Sequence, residues 1–321
     1  MYSFYISQNG AIDRKGNTLY FTGEDFKRHL PVLNVSDIII SSKVSLSAWA
    51  LDYLAKLGII VHFLGSDGTY RASIVPSNRK ERGNSTVSQA LAYSDPRKRI
   101  GIASEFVEGI KHNILRNIRY YNKDGSLSDA IEAISRISVS GSSIEQIMGN
   151  EGKIWALYYR SFRKIYDLDH DFVRTFHPPS DDLNSMISYG NALLYSSTLS
   201  AIMFVGMNPS VSFLHEPSDR SFSLALDIAD VFKPVIVERV ISKLVKNRII
   251  QHNMFEENNG GIYLNERGRK LFLEAYRDKM ESTAKINERH VSYATMIEME
   301  CQKLRDHVMG DSEYRSFRAW D

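Results

Sequence analysis

Four side chains in the second half of the sequence carry groups that could do chemistry together: Glu151, His215, Asp227 and Asp230. Asp227 and Asp230 lie three apart in Leu224-Ala-Leu-Asp-Ile-Ala-Asp230, which puts both carboxylates on one helical face. Leu224, Ile228 and Val231 sit near that face, so two like charges repel each other beside apolar neighbours. Such a pair is costly without a cation. His215 closes the apolar segment Phe213-Leu-His, just before Glu216-Pro217. Glu151 sits in Ile147-Met-Gly-Asn-Glu-Gly-Lys-Ile154, near the start of a helix that continues through Trp155, Tyr158, Tyr159 and Phe162. Each has a plainer reading. An acid near a helix start favours the dipole, and a histidine in an apolar segment can be a satisfied, partly buried residue. If Glu151, His215 and one aspartate converge, they form a mixed oxygen and nitrogen site. Carboxylates favour Mg²⁺ or Mn²⁺, and one imidazole shifts the preference toward Mn²⁺. Such an ion polarises a phosphodiester oxygen and orients a hydroxyl or water nucleophile. Spacing alone leaves the convergence open.

Other signatures fail. Gly149-Asn-Glu-Gly152-Lys153 has two residues between its glycines where a phosphate loop needs four, and Ile154 stands where Ser or Thr would hold magnesium. His215-Glu216 lacks the second histidine of a zinc-protease helix, and Pro217 would break that helix. There is no Gly-x-Ser-x-Gly elbow and no dinucleotide fingerprint. The single cysteine, Cys301, excludes a disulfide framework and multi-cysteine metal sites. Lys and Arg total 40 against 38 Asp and Glu, so any nucleic-acid site must come from local segregation of charge. The start, Met1–Tyr5, is not a signal peptide, and no 18-residue apolar stretch exists. A cytoplasmic protein without a membrane span is expected.

The elements that must position these groups fall into two parts, in keeping with 321 residues and a prior of about two domains. Residues 1–75 read as β-rich. Tyr2–Ser7, Thr18–Thr22, Val35–Ile40 and Ile59–Leu64 have strand character, separated by turns at Asn9-Gly10, Lys15-Gly-Asn17 and Asp67-Gly68. One helix interrupts them, from the N-cap Ser45 to Gly58. Residues 76–87 read as a basic linker. Across 76–99, Arg79, Lys80, Arg82, Arg97, Lys98 and Arg99 face only two acids. From Ser88 the pattern is helical: Ala103, Phe106, Val107, Ile110, Ile114 and Ile118 form one stripe. Further helices are predicted near 127–138, 143–165, 181–205, 221–247, 265–280 and 283–308, with a short strand at Ile262–Leu264. The fold class is α+β: a small N-terminal β-rich domain, then a larger α-helical domain over 88–321.

At these residues the sequence resembles a known family, the CRISPR-associated spacer-acquisition integrases, also described as metal-dependent DNA endonucleases. The resemblance runs in blocks over most of 150–275: Glu151-Gly152 with Tyr158-Tyr159; Asp182-Leu-Asn184 with Tyr189–Tyr195; Pro209–Glu216, Arg220 and Ser223–Asp227 through Phe232-Lys-Pro234; and Gly260–Asn265 with Gly268–Phe272. The closing Tyr314-Arg-Ser-Phe317 also fits. Met207-Asn-Pro209, Ser212, Asp230 and Lys233 depart from the family's commoner Leu-Asp-Pro, Gly, Glu and Arg.

The resemblance implies that Glu151, His215 and Asp230 ligate Mn²⁺ or Mg²⁺, with Asp227 a nearby acid acting through water or an alternative ligand. It implies catalytic helices behind a dimerising β-domain over 1–75, a homodimer, and a small ferredoxin-like CRISPR-associated partner. The implied reaction is attack by a prespacer 3′-hydroxyl on a phosphodiester at the leader–repeat junction, with hydrolysis at the same site. Double-stranded DNA must be held by its phosphates. Candidate contacts are Arg79, Lys80, Arg82, Arg97, Lys98, Arg99, Lys111, Arg116, Arg119, Arg160, Arg163 and Lys164. Tyr158, Tyr159, Tyr189 and Tyr195 are candidates for base stacking or for the core. The tail from Met309 is expected to order only with partners. Two alternatives differ in chemistry: a metal-dependent nuclease of branched DNA in repair, and a DNA-binding scaffold without catalysis.

Overall fold

The apolar runs of the first quarter of the chain become strands because both of their faces find cover. The structure, a computed structural model, describes residues 2–65, 67–79, 83–217, 222–286 and 288–319. Its first part runs β1 (Tyr2–Ile6), β2 (Gly10–Lys15), β3 (Thr18–Thr22), β4 (Lys27–Leu30), β5 (Val35–Ile40), β6 (Val44–Leu46), α1 (Ala48–Lys56), β7 (Ile60–Leu64) and β8 (Tyr70–Ile74). These strands make two four-stranded sheets, ordered β1-β5-β7-β8 and β4-β3-β2-β6. In the first sheet β5 lies parallel to both β1 and β7, with Ile38 opposite Phe4 on one side and Val61 on the other. Side chains alternate across a strand. Ile38 and Ile40 therefore join Ile12, Leu19 and Phe21 in a core within the β module, while Ile39 joins the helical core. Burial on both faces explains the unbroken apolar run Ile38–Ile40.

The helical part runs α2 (Gly83–Ser94), α3 (Pro96–Tyr121), α4 (Ser128–Arg136), α5 (Ile144–Arg160), α6 (Phe162–Ile165), α7 (Asp182–Val205), α8 (Ser223–Phe232) and α9 (Val237–Lys246). A hairpin of β9 (Phe255–Asn258) and β10 (Gly261–Leu264) leads to α10 (Glu266–Glu281). A second, of β11 (Thr283–Ile286) and β12 (Arg289–Ser292), leads to α11 (Tyr293–Met309). The order is the α+β arrangement expected. At the centre lies α7, buried nearly all round, as its apolar and small residues require. Its Gly190 permits a close approach: a Cβ there would stand 2.6 Å from Val237 Cγ1 and 2.9 Å from Phe272 Cζ. The β module is fixed to α7 by His62, whose Nε2 lies 2.7 Å from Ser200 Oγ, and by Tyr189, whose hydroxyl donates to Ser41 Oγ at 3.0 Å. Among the described residues no helix is long and apolar enough to cross a membrane.

The elements depart from the sequence expectation in several places. The first helix is capped by Ser47, because Ser45 lies within β6, and the helix expected over 143–165 breaks at Ser161. Helix α2 begins at Gly83, inside the stretch read as a linker, which also holds a short 3₁₀ turn at Ser77–Arg79. The helix expected over 221–247 divides after Phe232, because Pro234 has no N–H to continue the ladder. The first ten residues of the helix expected over 283–308 form the second hairpin instead. The tail folds onto the body without a partner: Tyr314, Phe317 and Ala319 are buried. Tyr314 Oη and Phe317 N both donate to the buried Glu300 carboxylate, at 2.6 and 2.9 Å. Asn113 of α3 brackets the same tail, accepting from Ala319 N at 2.8 Å and donating to Phe317 O at 3.3 Å.

Candidate active site

Three elements meet around the acidic residues: the N-terminal half of α5, the loop from Met207 to Pro217, and α8. Ser143 caps α5, accepting from Gln146 N, so Glu151 stands two turns inside the helix. That is beyond the first turn, where a dipole would favour an acid. The loop is pinned from several directions. Gln89 of α2 reads the backbone at Asn208 from both ends of its amide, accepting from N at 2.8 Å and donating to O at 3.0 Å. Arg99 of α3 donates from Nε to Phe213 O at 3.0 Å and pairs with Glu216 at 2.6 Å. Tyr93 donates to the other Glu216 oxygen at 2.9 Å. Ser212 stands where the family commonly has glycine, and its hydroxyl lies 2.6 Å from His215 O and 2.8 Å from Ser223 Oγ.

Asp227 organises the loop from within. The residue is fully buried. Its Oδ2 accepts from Phe213 N at 2.8 Å and Leu214 N at 3.0 Å; its Oδ1 lies 2.9 Å from His215 N and 2.7 Å from His215 Nδ1. Four donors on one carboxylate account for its charge without any metal. They also fix the imidazole by Nδ1 and leave Nε2 as the ring nitrogen with no recorded partner among the described residues. Asp230, one turn on, is also buried and forms an ion pair with Lys233 Nζ. The ion pair falls on Oδ1, the carboxylate oxygen that takes part in no hydrogen bond among the described residues.

The electrostatics tie the three expected ligands to one neighbourhood. Burial, and then the charge of Asp230, push the Glu151 carboxyl up to about 7, against the pull of Lys233 and His215. Burial alone would lower His215, but the hydrogen bond and charge of Asp227, then Asp230 and Glu151, hold it up at about 9. Among the described residues no three acid, histidine or cysteine groups close to metal-binding distance. The donor set nonetheless suits a hard divalent cation: two crowded carboxylates, one of them answered only by a lysine ammonium, and an imidazole held by its other nitrogen. The Lys233 ammonium, paired with Asp230, answers part of the negative charge these carboxylates gather.

The remaining sequence candidates are scattered. Lys80, Arg82 and Arg220 lie outside the described residues, and Arg79 ends the 3₁₀ turn. Arg97, Lys98, Arg119 and Arg160 are exposed. Arg163 pairs with Asp171 at 3.0 Å, and Lys164 donates to Ser126 O. Lys111 caps the end of α4 through Ser135 O and Ile137 O. Tyr158, Tyr189 and Tyr195 are core residues whose hydroxyls meet Asn117 Nδ2, Ser41 Oγ and Phe222 N. Sequence reasoning missed Gln89 and the loop-holding role of Arg99, which no local signal marks. The i,i+3 spacing of Asp230 and Lys233 could have marked that ion pair.

Paired acids and an oriented imidazole in a helical body, beside a double-sheet module, are the layout of a DNA-processing enzyme. Comparison with known proteins agrees. The family profile described as CRISPR associated protein Cas1 matches residues 4–278. A CRISPR-associated endonuclease Cas1 from Thermodesulfovibrio yellowstonii is 37% identical over 100% of both chains. A solved Cas1 protein from Thermotoga maritima superposes with a TM-score of 0.86 at 31% identity, over 99% of this chain and 100% of the other. A casposase solved bound to integration product shares the fold at 19% identity and a TM-score of 0.85, over 99% of this chain and 93% of that one. The chain belongs to the Cas1 family of CRISPR-associated endonucleases.

Proposed function

We propose that this protein joins captured DNA ends into a CRISPR repeat and cuts DNA at the same site, with Glu151, His215 and Asp230 as the ligands of one divalent metal ion. The observation that carries the reading is the division of labour between the two aspartates. Asp227 is committed to three backbone N–H groups and His215 Nδ1, whereas the charge of Asp230 is answered only by the ammonium of Lys233, which pairs with its Oδ1 and which a divalent cation can displace. Asp227 is therefore the group that orients the imidazole, and Asp230 the one that meets the cation. Mn²⁺ or Mg²⁺ bound there would neutralise the carboxylates and stabilise charge on the phosphoryl oxygens of the scissile diester.

The chain's own residues do the rest. Asp227 holds the Nδ1 proton, which presents Nε2 as a ligand. Arg99, Gln89 and Ser212 keep the His215 loop in register with α8. The prespacer 3′-hydroxyl gives up its proton to solvent as its oxygen bonds to phosphorus and the bridging P–O bond of the repeat strand breaks. The departing 3′-oxygen keeps the bonding pair and takes up a proton. With water as the nucleophile, the same displacement is cleavage. Residues 1–75 are proposed to pair two copies of the chain, and the dimer to work with the small ferredoxin-like adaptation partner on double-stranded prespacer and leader–repeat DNA.

The test is strand transfer. The protein, with and without that partner, is mixed with a short 3′-hydroxyl duplex and a plasmid bearing a repeat, in Mn²⁺, Mg²⁺ or EDTA. Joining that needs metal and falls at least ~1000-fold in His215→Ala is the expected result. Branch hydrolysis without joining supports the repair nuclease instead, and DNA binding without either reaction supports the scaffold.

A further inference from the structure

A second group of charges lies outside the acid cluster. Arg116 on α3, Arg239 on α9 and Lys279 on α10 gather around the rings of Tyr120, Tyr121 and Tyr293. Lys279 Nζ stands 3.3 Å from the centre of the Tyr293 ring. The Arg239 guanidinium lies 3.9 Å from the Tyr120 ring centre and donates to Tyr121 Oη at 3.2 Å. Lys246 sits 4.0 Å from the Tyr121 ring, with Lys123 close enough to repel it. Arg116 acts on both Lys279 and Tyr293, and its buried Nε has no hydrogen-bond partner among the described residues.

None of Arg116, Arg239, Lys246 or Lys279 forms an ion pair among the described residues. The neighbouring Asp278 is engaged by Lys243 at 3.7 Å and Arg277 at 3.8 Å. Glu238, beside Arg239 in sequence, is fully buried and leans on Arg174 and Lys233. Burial, then the Arg239 and Arg116 guanidiniums, pull Lys279 down to about 7. Three cations from three helices crowd one another here with only ring faces to answer them. Cation–π contact holds such groups in place, but it leaves their positive potential open to an anion.

We propose that Arg116, Arg239 and Lys279 seat backbone phosphates of the DNA duplex. The cations form a stripe across α3, α9 and α10 rather than closing on one small anion, and a duplex offers phosphates at regular spacing. The inference rests on the DNA-joining reading and extends it. Arg99 touches the active-site loop, and Arg116 lies seventeen residues further along α3. Asn113, three residues before Arg116, donates to Val231 O beside Asp230 at 2.8 Å, so α3 carries the cations past the end of α8 and would place this contact on duplex that adjoins the site.

The test is the salt dependence of binding to a fluorescently labelled random-sequence duplex. Replacing Arg116, Arg239 and Lys279 together by Gln is expected to lower the slope of log K against log salt by about 2.7, at 0.9 per lost phosphate contact. The charge-keeping set Arg116→Lys, Arg239→Lys and Lys279→Arg is expected to retain the slope. Should the neutral triple variant lose its circular dichroism, Lys279→Gln alone carries the test, with an expected loss of about 0.9. An unchanged slope overturns the proposal and leaves the joining reading intact. If the neutral variant keeps its slope but loses the small adaptation partner, the stripe binds an acidic protein face and the proposal is overturned. Failure of the wild-type chain to bind duplex at all overturns both.

Discussion

At the scale of single residues, Asp227 does more than its partner aspartate. It gathers the N–H groups of three consecutive residues and the imidazole of the third, so it holds the local backbone in shape as well as orienting a side chain. Asp227→Ala leaves the N–H groups of Phe213 and Leu214 buried and unpaired and frees the half-buried His215, and is expected to cost about 3–5 kcal/mol in urea unfolding. Asp227→Asn offers one acceptor oxygen instead of two, and is expected to cost less while lowering strand transfer at least ~100-fold. His215→Ala, at a half-buried position, is expected to abolish transfer with little change in the unfolding midpoint. That pattern separates a chemical role from an architectural one. The spacing of Asp227 and Asp230 was readable in the sequence, and so was their need for positive charge. What answers that charge was not. The donors to Asp227 lie twelve to fourteen residues upstream, and Gln89 reaches Asn208 across 119 positions. Periodicity carries no information about contacts of that range.

At the scale of elements, the seam between β7 and α7 carries a titration. His62 is fully buried between Ser73 and Ser200, and burial lowers its pKa from 6.5 to about 3. The unfolded chain takes up a proton below about 6.5 that the native chain refuses until about 3. The contribution of His62 to stability is therefore complete above the first value and drains away as the pH falls toward the second. Between pH 7 and pH 5 this group alone is expected to remove about 2 kcal/mol. Urea titrations of wild type and His62→Gln at both pH values measure it: a loss equally large in the variant would place the acid sensitivity elsewhere. The β7 side of the seam was legible as the apolar run Ile59–Leu64, and the core face of α3 as its stripe from Ala103 to Ile118. The hairpin over 283–292 was hidden. Its turn puts Glu288 at φ 67°, where glycine would have announced it, and its residues continue the polar pattern of a surface helix.

At the scale of the whole molecule, the tail ties the helical body together. Phe317 stacks on Phe232 of α8 with ring centres 4.8 Å apart, and Tyr314 meets Phe106 of α3 edge-on at 5.5 Å. Asn113 links the same tail to α8 by donating to Val231 O at 2.8 Å. The helix bearing Asp227 and Asp230 is thus braced by residues near the end of the chain. Phe317→Ala is expected to cost about 3 kcal/mol and to lower strand transfer in proportion to the displacement of α8, read by thermal unfolding and joining rate together. No local pattern pointed to this brace, because a short stretch with no periodicity reads as a free end. Its consequence appears during synthesis. A chain emerging from the ribosome displays Glu151, His215 and both aspartates well before the residues that brace α8 have been made. A chain stopped after α11 therefore has all four of these side chains but lacks the contacts of Tyr314, Phe317 and Ala319 that brace α8.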